Sequence, residues 1–548
     1  MKILTPNQTT ILLADQELNL NQDLCFDGGY IRYELTDDEQ GMHIQLQSQN
    51  HSVCFIRMHW DYPVADDVKV LGDAWERGYG DLHWRTVDPD RAMPWYMIIS
   101  NGSDSNRNYA GRKTECFGVG VLPNCFASWS CDHAGVTLTL DLRSGAAPLE
   151  LGDRVLNCAT VYTATYTDIS AFEALQRFCR ILSPAPLLAD HVVYGSNNWY
   201  YAYGESSHEE IVSDTKLVAE LCHGVQNPPY MVIDDGWQPN RTNAPWDIGN
   251  EKFPDMASLA KSMRDAGTRP GIWVRYLIDG RDDRRNMGTF PEECYLSRCK
   301  ASLDPSHPLV LDYVKKVTRQ LVEWGYTLIK HDYSCYDLFG KWGKDMKPFP
   351  ANKCDTWGFY DRTKTSAEII QVFHKAILDA ALEVSSEAVI LGCNVMGHLC
   401  AGIHHCNRTG DDTSGNSWDR TLKMGVNTLA FRLAQNNIFF GADADCVGIL
   451  GKIDWRYNSQ WLDLLARSGS PLFVSCKPSV PNEAEKDDLR RAYAKGSLQA
   501  DELIPLDWME TPYPARYLLN GEEVQYDWGD TVNLLIDSET GYPSGYSC

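Results

Sequence analysis

The sequence predicts a mixed α/β fold whose centre is a (β/α)8 TIM barrel, preceded by an antiparallel β-sandwich domain and followed by a small C-terminal β-domain. Two observations support this prediction. Beyond about residue 190, eight apolar runs of strand length alternate with segments of helical periodicity, whereas the part before it contains mainly short alternating runs. Clusters of carboxylates stand at or directly after the ends of these runs, as in MVIDD, LIKHD and RTGDD, which is typical of strands that meet at the functional face of such a barrel.

The N-terminal β-sandwich domain is predicted for residues 1–187. Alternating runs such as IRYEL (31–35), MHIQLQ (42–47) and VTLTLDL (136–142) fill this part, with Gly, Asp, Asn and Pro between them. Its last segment, 168–186, has apolar residues at helical spacing and then a Pro-rich stop. We therefore place a domain boundary after this helix.

The barrel is predicted for residues 188–480. Its strand candidates, in order, are VVYGSNN, YMVIDD, GIWVRYL, TLIKHDY, AVILGCN, HHCNRTG, NNIFFGADADC and PLFVSC. Helical segments such as IVSDTKLVAELC and PLVLDYVKKVTRQLVEWG separate most of them, as parallel strands require. Residues 481–548 hold an acidic region, EAEKDDLRRAY, and the alternating pieces ARYLLNG and TVNLLID, which favour a small C-terminal β-domain.

Composition excludes several classes of partner. The 548 residues include 50 basic and 74 acidic side chains, a formal charge of −24, which repels nucleic acid and anionic membrane surfaces. No apolar stretch reaches the length of a membrane span, and the N-terminus lacks the pattern of a signal peptide. The 18 cysteines have no repeating spacing, so we expect mostly reduced, buried thiols and a cytoplasmic protein. Homo-oligomerisation stays open, because no interface can be read from the sequence.

The strand candidate TLIKHDY carries the first chemical signal. Lys330 and Asp332 are two residues apart, so on a strand they point to the same side and emerge together at its end. A neighbouring ammonium group lowers the pKa of a carboxyl group and keeps it ionised, as a carboxylate nucleophile for the anomeric carbon of a sugar requires. A structural salt bridge at the strand end is the alternative, and this pair by itself does not decide between them.

The second carboxylate is expected from NRTGDDTSG, where Asp411 and Asp412 follow another strand candidate. Arg408 lies four residues before Asp412, close enough to hold a carboxylate or a sugar hydroxyl. Two acids at separate strand ends match the nucleophile and proton donor of a glycosidase, which lie about 5–5.5 Å apart in retaining enzymes. The alternative is a helix N-cap, since Asp before Thr-Ser-Gly also suits a helix start. When Lys330 and Asp332 are considered together with this pair of aspartates, a catalytic role is favoured over a helix cap.

A dense group of possible metal ligands, His398, Cys400, His404, His405 and Cys406, precedes the second carboxylate. Structural zinc sites draw on separated ligand pairs at characteristic spacings, and this group has none of them. The simpler interpretation is that these His and Cys residues belong to the loop and strand that precede the acid/base aspartate. We expect no metal and no organic cofactor.

The motifs VIDDGWQ, LIKHDYS, ILGCN and RTGDDT, in this order, resemble those of glycoside hydrolase family 36 and its clan relatives, the α-galactosidases and the raffinose-synthase group. The resemblance covers roughly residues 190–480. It implies that Asp332 is the catalytic nucleophile and that Lys330 binds the sugar beside it. It also implies that Asp234 and Asp235 hold the 4- and 6-hydroxyls of galactose, for which ionised carboxylates are suitable acceptors.

The pattern of the family's general acid/base can be aligned with this sequence in two ways. Counting four residues from Arg408 selects Asp412, whereas an Asp-x-Thr pattern selects Asp411. We choose Asp412, because the R-T-G spacing is closer to the Arg-x-x-x-Asp-Thr version, and we keep Asp411 as its alternative and as a substrate-binding candidate, together with Arg408.

Further substrate contacts are expected from aromatic and strand-end residues. Trp237 matches the family tryptophan of DDGW, and Trp199 and Trp273 are placed to form apolar walls for the sugar, although both could equally be barrel packing. The segment with Cys393 and Asn394 lies where clan members read the 2-position of the sugar. Its amide could bind a hydroxyl or an acetamido group.

The activity implied by the resemblance is a retaining glycoside hydrolase that cleaves terminal α-D-galactosyl residues from galactosides or oligosaccharides by double displacement. A raffinose-synthase-like galactosyl transferase and an α-N-acetylgalactosaminidase would share the same residues. A non-catalytic carbohydrate-binding protein is the third class, and the presence of Lys330, Asp332 and the paired aspartates argues against it.

Overall fold

The computed structural model of the protein describes residues 5–36, 40–240, 243–279, 290–348, 354–498 and 502–529. Within these residues the fold is mixed α/β, with one nine-stranded parallel sheet and four antiparallel sheets. None of the described helices combines the length and the apolar character that crossing a membrane would require.

Two antiparallel sheets form the N-terminal part. Their strands are β1 Gln8–Leu13, β2 Glu17–Leu20, β3 Cys25–Phe26, β4 Gly29–Leu35, β5 Gly41–Ser48, β6 Val53–Asp61, β7 Lys69–Gly72, β8 Met93–Pro94, β9 Tyr96–Ser100, β10 Lys113–Val119, β11 Phe126–Cys131, β12 Gly135–Asp141 and β13 Gly152–Thr167. The strand orders are β2-β1-β6-β12-β11-β8 and β3-β4-β5-β13-β10-β9-β7. Ile56 and Leu138 of the first sheet and Ile44 and Val161 of the second are buried in one apolar core.

Helix α1, Ala171–Leu182, follows the second sheet and confirms the predicted helical segment. Ser170 caps it, because its side chain accepts a hydrogen bond from the Glu173 amide. Phe172, Leu175, Phe178 and Leu182, the residues at helical spacing, are all buried.

The parallel sheet begins after this helix. The next strands are β14 Tyr194–Asn197, β15 Tyr230–Ile233, β16 Arg269–Val274, β17 Tyr295–Leu296, β18 Cys299–Leu303, β19 Leu328–His331, β20 Val389–Gly392, β21 Cys406–Arg408, β22 Gly441–Asp443, β23 Cys446–Ile449 and β24 Leu472–Cys476. β17 and β18 pair with each other, and the other nine follow the order β22-β21-β20-β19-β16-β15-β14-β24-β23. Each of the eight predicted strand candidates contributes to this sheet, and the seventh provides both edge strands, β22 and β23.

Helices separate most of the parallel strands. They are α2 Trp199–Ala202, α3 His208–Leu221, α4 Met256–Asp265, α5 Pro308–Glu323, α6 Ser334–Phe339, α7 Ser366–Val384, α8 Trp418–Thr421, α9 Thr428–Arg432, α10 Trp455–Arg467 and α11 Glu483–Gly496. The sequence fixes their starts locally: Thr365 and Glu368 form a capping box at α7, and Pro308 opens α5. Helix α11 lies beyond the predicted boundary at 480 but packs against α3 and α10.

The C-terminal sheet has three antiparallel strands, β25 Leu503–Pro505, β26 Arg516–Leu519 and β27 Glu522–Gln525. β26 corresponds to the predicted piece ARYLLNG. The predicted piece TVNLLID, residues 531–537, lies outside the described residues. The domain limits at 187 and 480 remain predictions.

The cysteines are mostly reduced and buried, as the sequence predicts. Fifteen described cysteines are free, and thirteen of these are buried. Cys54 and Cys354 form a disulfide between the N-terminal sheets and a segment that follows α6 in the chain. The sequence did not indicate this pair, because the two residues are 300 positions apart.

Candidate active site

A cavity of about 280 Å³ lies where β19 and β21 end. It is lined by Arg77, Tyr79, Asp332, Tyr333, Trp342, Lys344, Asp411 and Asp412. The structure therefore brings the predicted nucleophile and both acid/base candidates into one space. The remaining sequence-predicted residues lie outside this lining.

Asp332 is held by two N–H donors, one on each carboxylate oxygen. The Trp273 indole donates to Oδ2 at 3.0 Å, and the Tyr333 amide donates to Oδ1 at 2.6 Å. Donors of this kind favour the ionised form of the carboxylate and fix its orientation. Trp273, predicted as an apolar wall, is thus a positioning residue for Asp332, and each Asp332 oxygen keeps a lone pair for another contact.

The electrostatic setting of Asp332 differs from the one expected from its neighbour Lys330. Burial raises the pKa of Asp332, and the charges of Arg77 and Lys330 counteract this only in part. The Lys330 ammonium donates instead to Asp234 Oδ2 at 2.6 Å. The prediction that Lys330 leaves Asp332 with a lowered pKa was therefore wrong, because burial outweighs the nearby positive charges.

Asp412 has the opposite balance. Burial acts to raise its pKa, but four cations, of which Arg408 acts most strongly, outweigh it, so the pKa of Asp412 is lowered. The Arg408 guanidinium lies 3.3 Å from Asp412 Oδ1, a longer contact than its 2.9 Å ion pair with Asp445. The Asp412 side chain is 37 % exposed, which leaves it accessible from the cavity.

Asp411 is the more strongly paired of the two neighbouring aspartates. Its Oδ1 lies 2.9 Å from the Arg77 guanidinium, and its Oδ2 accepts a hydrogen bond from Arg420 at 3.1 Å. Both oxygens are therefore held by arginines. This pairing supports Asp412, rather than Asp411, as the carboxylate that can exchange a proton with a ligand.

The helix-cap alternative for the paired aspartates does not hold. Helix α8 begins at Trp418, and Ser417 provides its cap. The aspartates are positioned instead by Asp445, whose Oδ2 accepts hydrogen bonds from the backbone and side chain of Thr413 at 2.8 and 3.1 Å. Because Asp445 also pairs with Arg408, it fixes both neighbours of the Asp412 carboxylate.

Two cavity residues, Arg77 and Tyr79, come from the N-terminal part and were missed by sequence reasoning. Gly78 between them donates its amide hydrogen to Thr409 O at 2.7 Å and accepts from the Asp411 amide at 3.1 Å. The backbone at Gly78 therefore pairs with the segment that directly follows β21. No strand-end pattern marks WERGYG, and more than 250 positions separate it from Asp332 and from the Asp411 and Asp412 pair.

Trp342 and Lys344 were also missed. They lie in the loop that follows α6, downstream of the strand end that carries Asp332. Their position in the sequence could have indicated them, because loops that follow parallel strands commonly supply the site residues in barrel enzymes. The Arg77 guanidinium lies 5.2 Å from the centre of the Trp342 ring, so this tryptophan helps to hold the arginine over the cavity.

Asp234 and Asp235 are both buried. Asp234 accepts hydrogen bonds from Lys330 and from the Asn197 amide group, the latter at 2.7 Å, and Asp235 accepts one from Gln238 at 2.6 Å. Lys330 lies two residues deeper on β19 than Asp332 and lines a void of about 10 Å³ with other interior residues. The sugar-binding role of these residues stays a prediction.

The other predicted contacts have partners within the protein. Trp237 is fully buried and donates to the Trp273 carbonyl at 2.9 Å, and Trp199 packs on Tyr203. The Cys393 sulfur lies 3.5 Å from an Arg408 nitrogen.

Asn394 is held by a residue of the N-terminal part, because its amide group donates to the Glu76 carboxylate. Its backbone carbonyl also accepts a hydrogen bond from the Cys335 amide at 3.0 Å. Asn394 therefore links the N-terminal part to helix α6, and a role in contacting the 2-position of a sugar stays a prediction.

Comparison with solved structures relates this arrangement to known folds. An α-galactosidase from Thermus thermophilus in complex with p-nitrophenyl α-D-galactopyranoside shares 17 % identity with a TM-score of 0.59, and the match covers 95 % of this chain and 99 % of that one. A GH36 α-galactosidase variant from Geobacillus stearothermophilus in complex with raffinose shares 15 % identity with a TM-score of 0.56, over 90 % and 77 % of the chains. An α-galactosidase from Lactobacillus brevis shares 12 % with a TM-score of 0.55, over 89 % and 68 %.

No protein-family model matches the chain. No curated protein matches it in sequence either. The resemblance to glycoside hydrolase family 36 that the motifs indicated is confirmed at the level of the fold, which this chain shares with these α-galactosidases across most of its length.

Proposed function

We propose that the protein is a retaining α-galactosidase. The observation that carries the proposal is that Asp332 and Asp412, from the ends of two different parallel strands, line one cavity of about 280 Å³. This volume is near the lower end of the roughly 300–1,000 Å³ range of ligand pockets and suits a single sugar ring. The α-galactosides in complex with the similar structures support galactose as that ring.

We further infer that the parallel sheet is a closed (β/α)8 barrel in which residues 441–449 act as one interrupted strand. β22 pairs with β21, β23 pairs with β24, and only Ala444 and Asp445 lie between β22 and β23. One continuous segment thus contacts both edges of the sheet. The interruption places the Asp445 carboxylate beside Arg408 and Thr413.

In the first step, an Asp332 oxygen attacks the anomeric carbon and forms a covalent glycosyl-enzyme. The bond from this carbon to the glycosidic oxygen breaks, and Asp412 gives its proton to the departing oxygen. The Trp273 and Tyr333 donors hold the Asp332 carboxylate in place for this attack.

In the second step, water attacks the same carbon. Asp412, now ionised, takes the proton of the water, and the bond to Asp332 breaks to release galactose with retained configuration. Asp412 returns to its protonated form and Asp332 to its ionised form. The aspartates supply both the nucleophile and the proton, and no metal takes part in this mechanism.

The mechanism requires the carboxylate pair to hold one proton. The ionised Asp412 raises the pKa of Asp332, so the two titrate as a coupled pair. In the free enzyme the pKa of Asp412 is lowered and that of Asp332 is raised. A bound sugar covers the exposed part of Asp412 and offers it the glycosidic oxygen as an acceptor, and both changes favour the proton on Asp412.

Selection of galactose is assigned to the residues behind the cavity. We propose that Asp234, oriented by Lys330 and Asn197, accepts the axial 4-hydroxyl, and that Asp235 contributes to the 6-hydroxyl. An equatorial 4-hydroxyl would point away from this carboxylate and lose the hydrogen bond, which favours galactose over its 4-epimer.

A panel of p-nitrophenyl α-glycosides that differ only in the sugar tests the function. We expect hydrolysis of the α-galactoside, with slower or no hydrolysis of the α-glucoside and the N-acetyl-α-galactosaminide. Product analysis by nuclear magnetic resonance should show α-galactose first. No turnover of any member would refute the enzyme proposal, and the N-acetyl compound as the best substrate would redirect it to an α-N-acetylgalactosaminidase. Galactosylated sucrose as the main product, in excess sucrose, would identify a transferase instead.

Arg77→Gln is expected to shift both limbs of the pH profile of kcat/KM to higher pH. The Arg77 charge lowers the pKa of Asp332 and of Asp412, so its removal raises both. Ionised Asp332 then becomes available only at higher pH, and Asp412 keeps its proton to higher pH. The profile should be measured with the p-nitrophenyl galactoside.

Arg77→Lys is the matched control for this experiment, because it keeps the positive charge. Its profile should stay near that of the wild type, although its activity is lower, since Lys cannot contact Glu76 and Asp411 at the same time as the Arg77 guanidinium does. Superimposable profiles of the Gln variant and the wild type would show that Arg77 has no electrostatic role in the cavity.

A further inference from the structure

Three histidines from distant parts of the chain converge on the side of the parallel sheet that faces α7. His331 ends β19, His374 lies in α7, and His404 precedes β21. One nitrogen of each ring lies within 4.8 Å of the corresponding nitrogens of the other two. Because Lys330 and Asp332 point into the barrel, His331 points to the opposite face, so this cluster is separate from the catalytic cavity.

The three rings are fully buried, and their polar atoms are not satisfied within the protein. None of the six ring nitrogens has a hydrogen-bond partner among the described residues. Leaving a buried polar group unpaired is unfavourable, so a cluster of three such rings calls for a ligand that all of them can share.

The rings are also in the chemical form that binds metals. Burial lowers the pKa of all three imidazoles well below its ordinary value, and the neighbouring histidines lower it further. Neutral imidazole offers a free lone pair on one nitrogen, which is the form that coordinates a transition metal.

The backbone next to the cluster leaves room for the rings. Gly392, at the end of β20, has no side chain, and a Cβ there would lie 2.6 Å from His404 Nδ1 and 2.5 Å from Asn407 Oδ1. Asn407 Oδ1 is buried and has no hydrogen-bond partner among the described residues. An uncharged oxygen donor is thus available close to His404.

We propose that His331, His374 and His404 bind one zinc ion, with Asn407 Oδ1 as a candidate for the fourth ligand. Zinc accepts imidazole nitrogens at about 2.0–2.1 Å in tetrahedral geometry, and nitrogens up to 4.8 Å apart reach such distances after shifts on the order of 0.7 Å. Three imidazoles and no carboxylate disfavour magnesium and calcium, which prefer oxygen ligands.

The site would join a strand, a helix and a loop that come from distant parts of the chain. His331 directly precedes Asp332, so zinc would also fix the strand end that carries the nucleophile. Of the dense His and Cys group in the sequence, only His404 belongs to the cluster: His398 contacts the Val119 carbonyl, and His405 accepts a hydrogen bond from the Ile390 amide. A zinc ion at this site would overturn the sequence expectation that the protein holds no metal.

Metal analysis of the full-length protein tests the proposal. Protein expressed with added zinc and dialysed against a chelator should retain about one zinc ion per chain. X-ray absorption at the zinc edge should show imidazole nitrogens at about 2.0–2.1 Å. Protein unfolded with chelator and refolded with ZnCl₂ should regain the ion and unfold at a higher temperature than protein refolded without metal.

Substitutions identify the ligands. His374→Gln and His404→Gln should each lose the zinc, whereas His398→Gln, a buried histidine outside the cluster, should retain it. If the Gln variants do not fold, refolding the wild type with CoCl₂ keeps the test decisive, because cobalt in this site should give the visible absorption of a tetrahedral ion. Wild-type protein without stoichiometric zinc after both preparations, or zinc retained in both ligand variants, would overturn the proposal.

Discussion

Asp332→Ala is expected to lower kcat/KM for an α-galactoside by roughly 10⁴-fold or more while leaving the fold intact, because the glycosyl-enzyme can no longer form. The side chain lines the cavity and accepts two hydrogen bonds from described residues, so its loss costs little packing. Steady-state kinetics with the p-nitrophenyl galactoside and thermal unfolding measure the two effects.

Chemical rescue makes the Asp332 prediction specific. Azide can enter the space left by the carboxylate and attack the anomeric carbon from the same face, so the Ala variant should form β-galactosyl azide. Asp345→Ala, which removes an exposed carboxylate next to Lys344, is the matched control and should keep wild-type activity. Substantial activity of Asp332→Ala without azide would exclude this residue as the nucleophile.

Asp412→Ala should reduce turnover of natural galactosides by about 10²–10⁴-fold, the usual contribution of a general acid and base. Formation of the glycosyl-enzyme from a galactoside with a good leaving group needs no proton donor, so a dinitrophenyl galactoside should show a much smaller loss in that step. Azide needs no general base and should rescue the second step to give α-galactosyl azide. Pre-steady-state and steady-state kinetics separate the two steps.

Asp411→Ala distinguishes the neighbouring aspartates. Removal of Asp411 leaves Arg77 and Arg420 without their shared carboxylate, so we expect a loss of activity that does not depend on the leaving group. The dependence on the leaving group should be confined to Asp412. If Asp411→Ala shows it instead, the acid/base assignment moves by one residue.

Local patterns in the sequence were sufficient for the strands and for the carboxylates at their ends. The runs YMVI and VILG are apolar because both faces of a parallel strand are buried, and each forms a strand of the parallel sheet. Apolar residues at helical spacing, followed by a Pro-rich stop, likewise predicted α1. These features depend on neighbours within a few residues, which a sequence displays directly.

The partners of the charged groups could not be predicted in this way. Lys330 pairs with Asp234 rather than with Asp332, and the pKa of Asp332 is raised rather than lowered. Burial and the charge of Arg77 decide this balance, and both depend on segments that are far apart in the chain. The same holds for the three histidines, which no spacing rule connects.

The sequence by itself determined the order of strands and helices, the carboxylates at the strand ends and the resemblance to glycoside hydrolase family 36. Only the tertiary structure decided that an N-terminal arginine enters the cavity, that Asp411 is held by two arginines while Asp412 stays accessible, and that three buried histidines meet. The physical reason is that secondary structure follows from local periodicity, whereas electrostatic free energies follow from distance and burial in space.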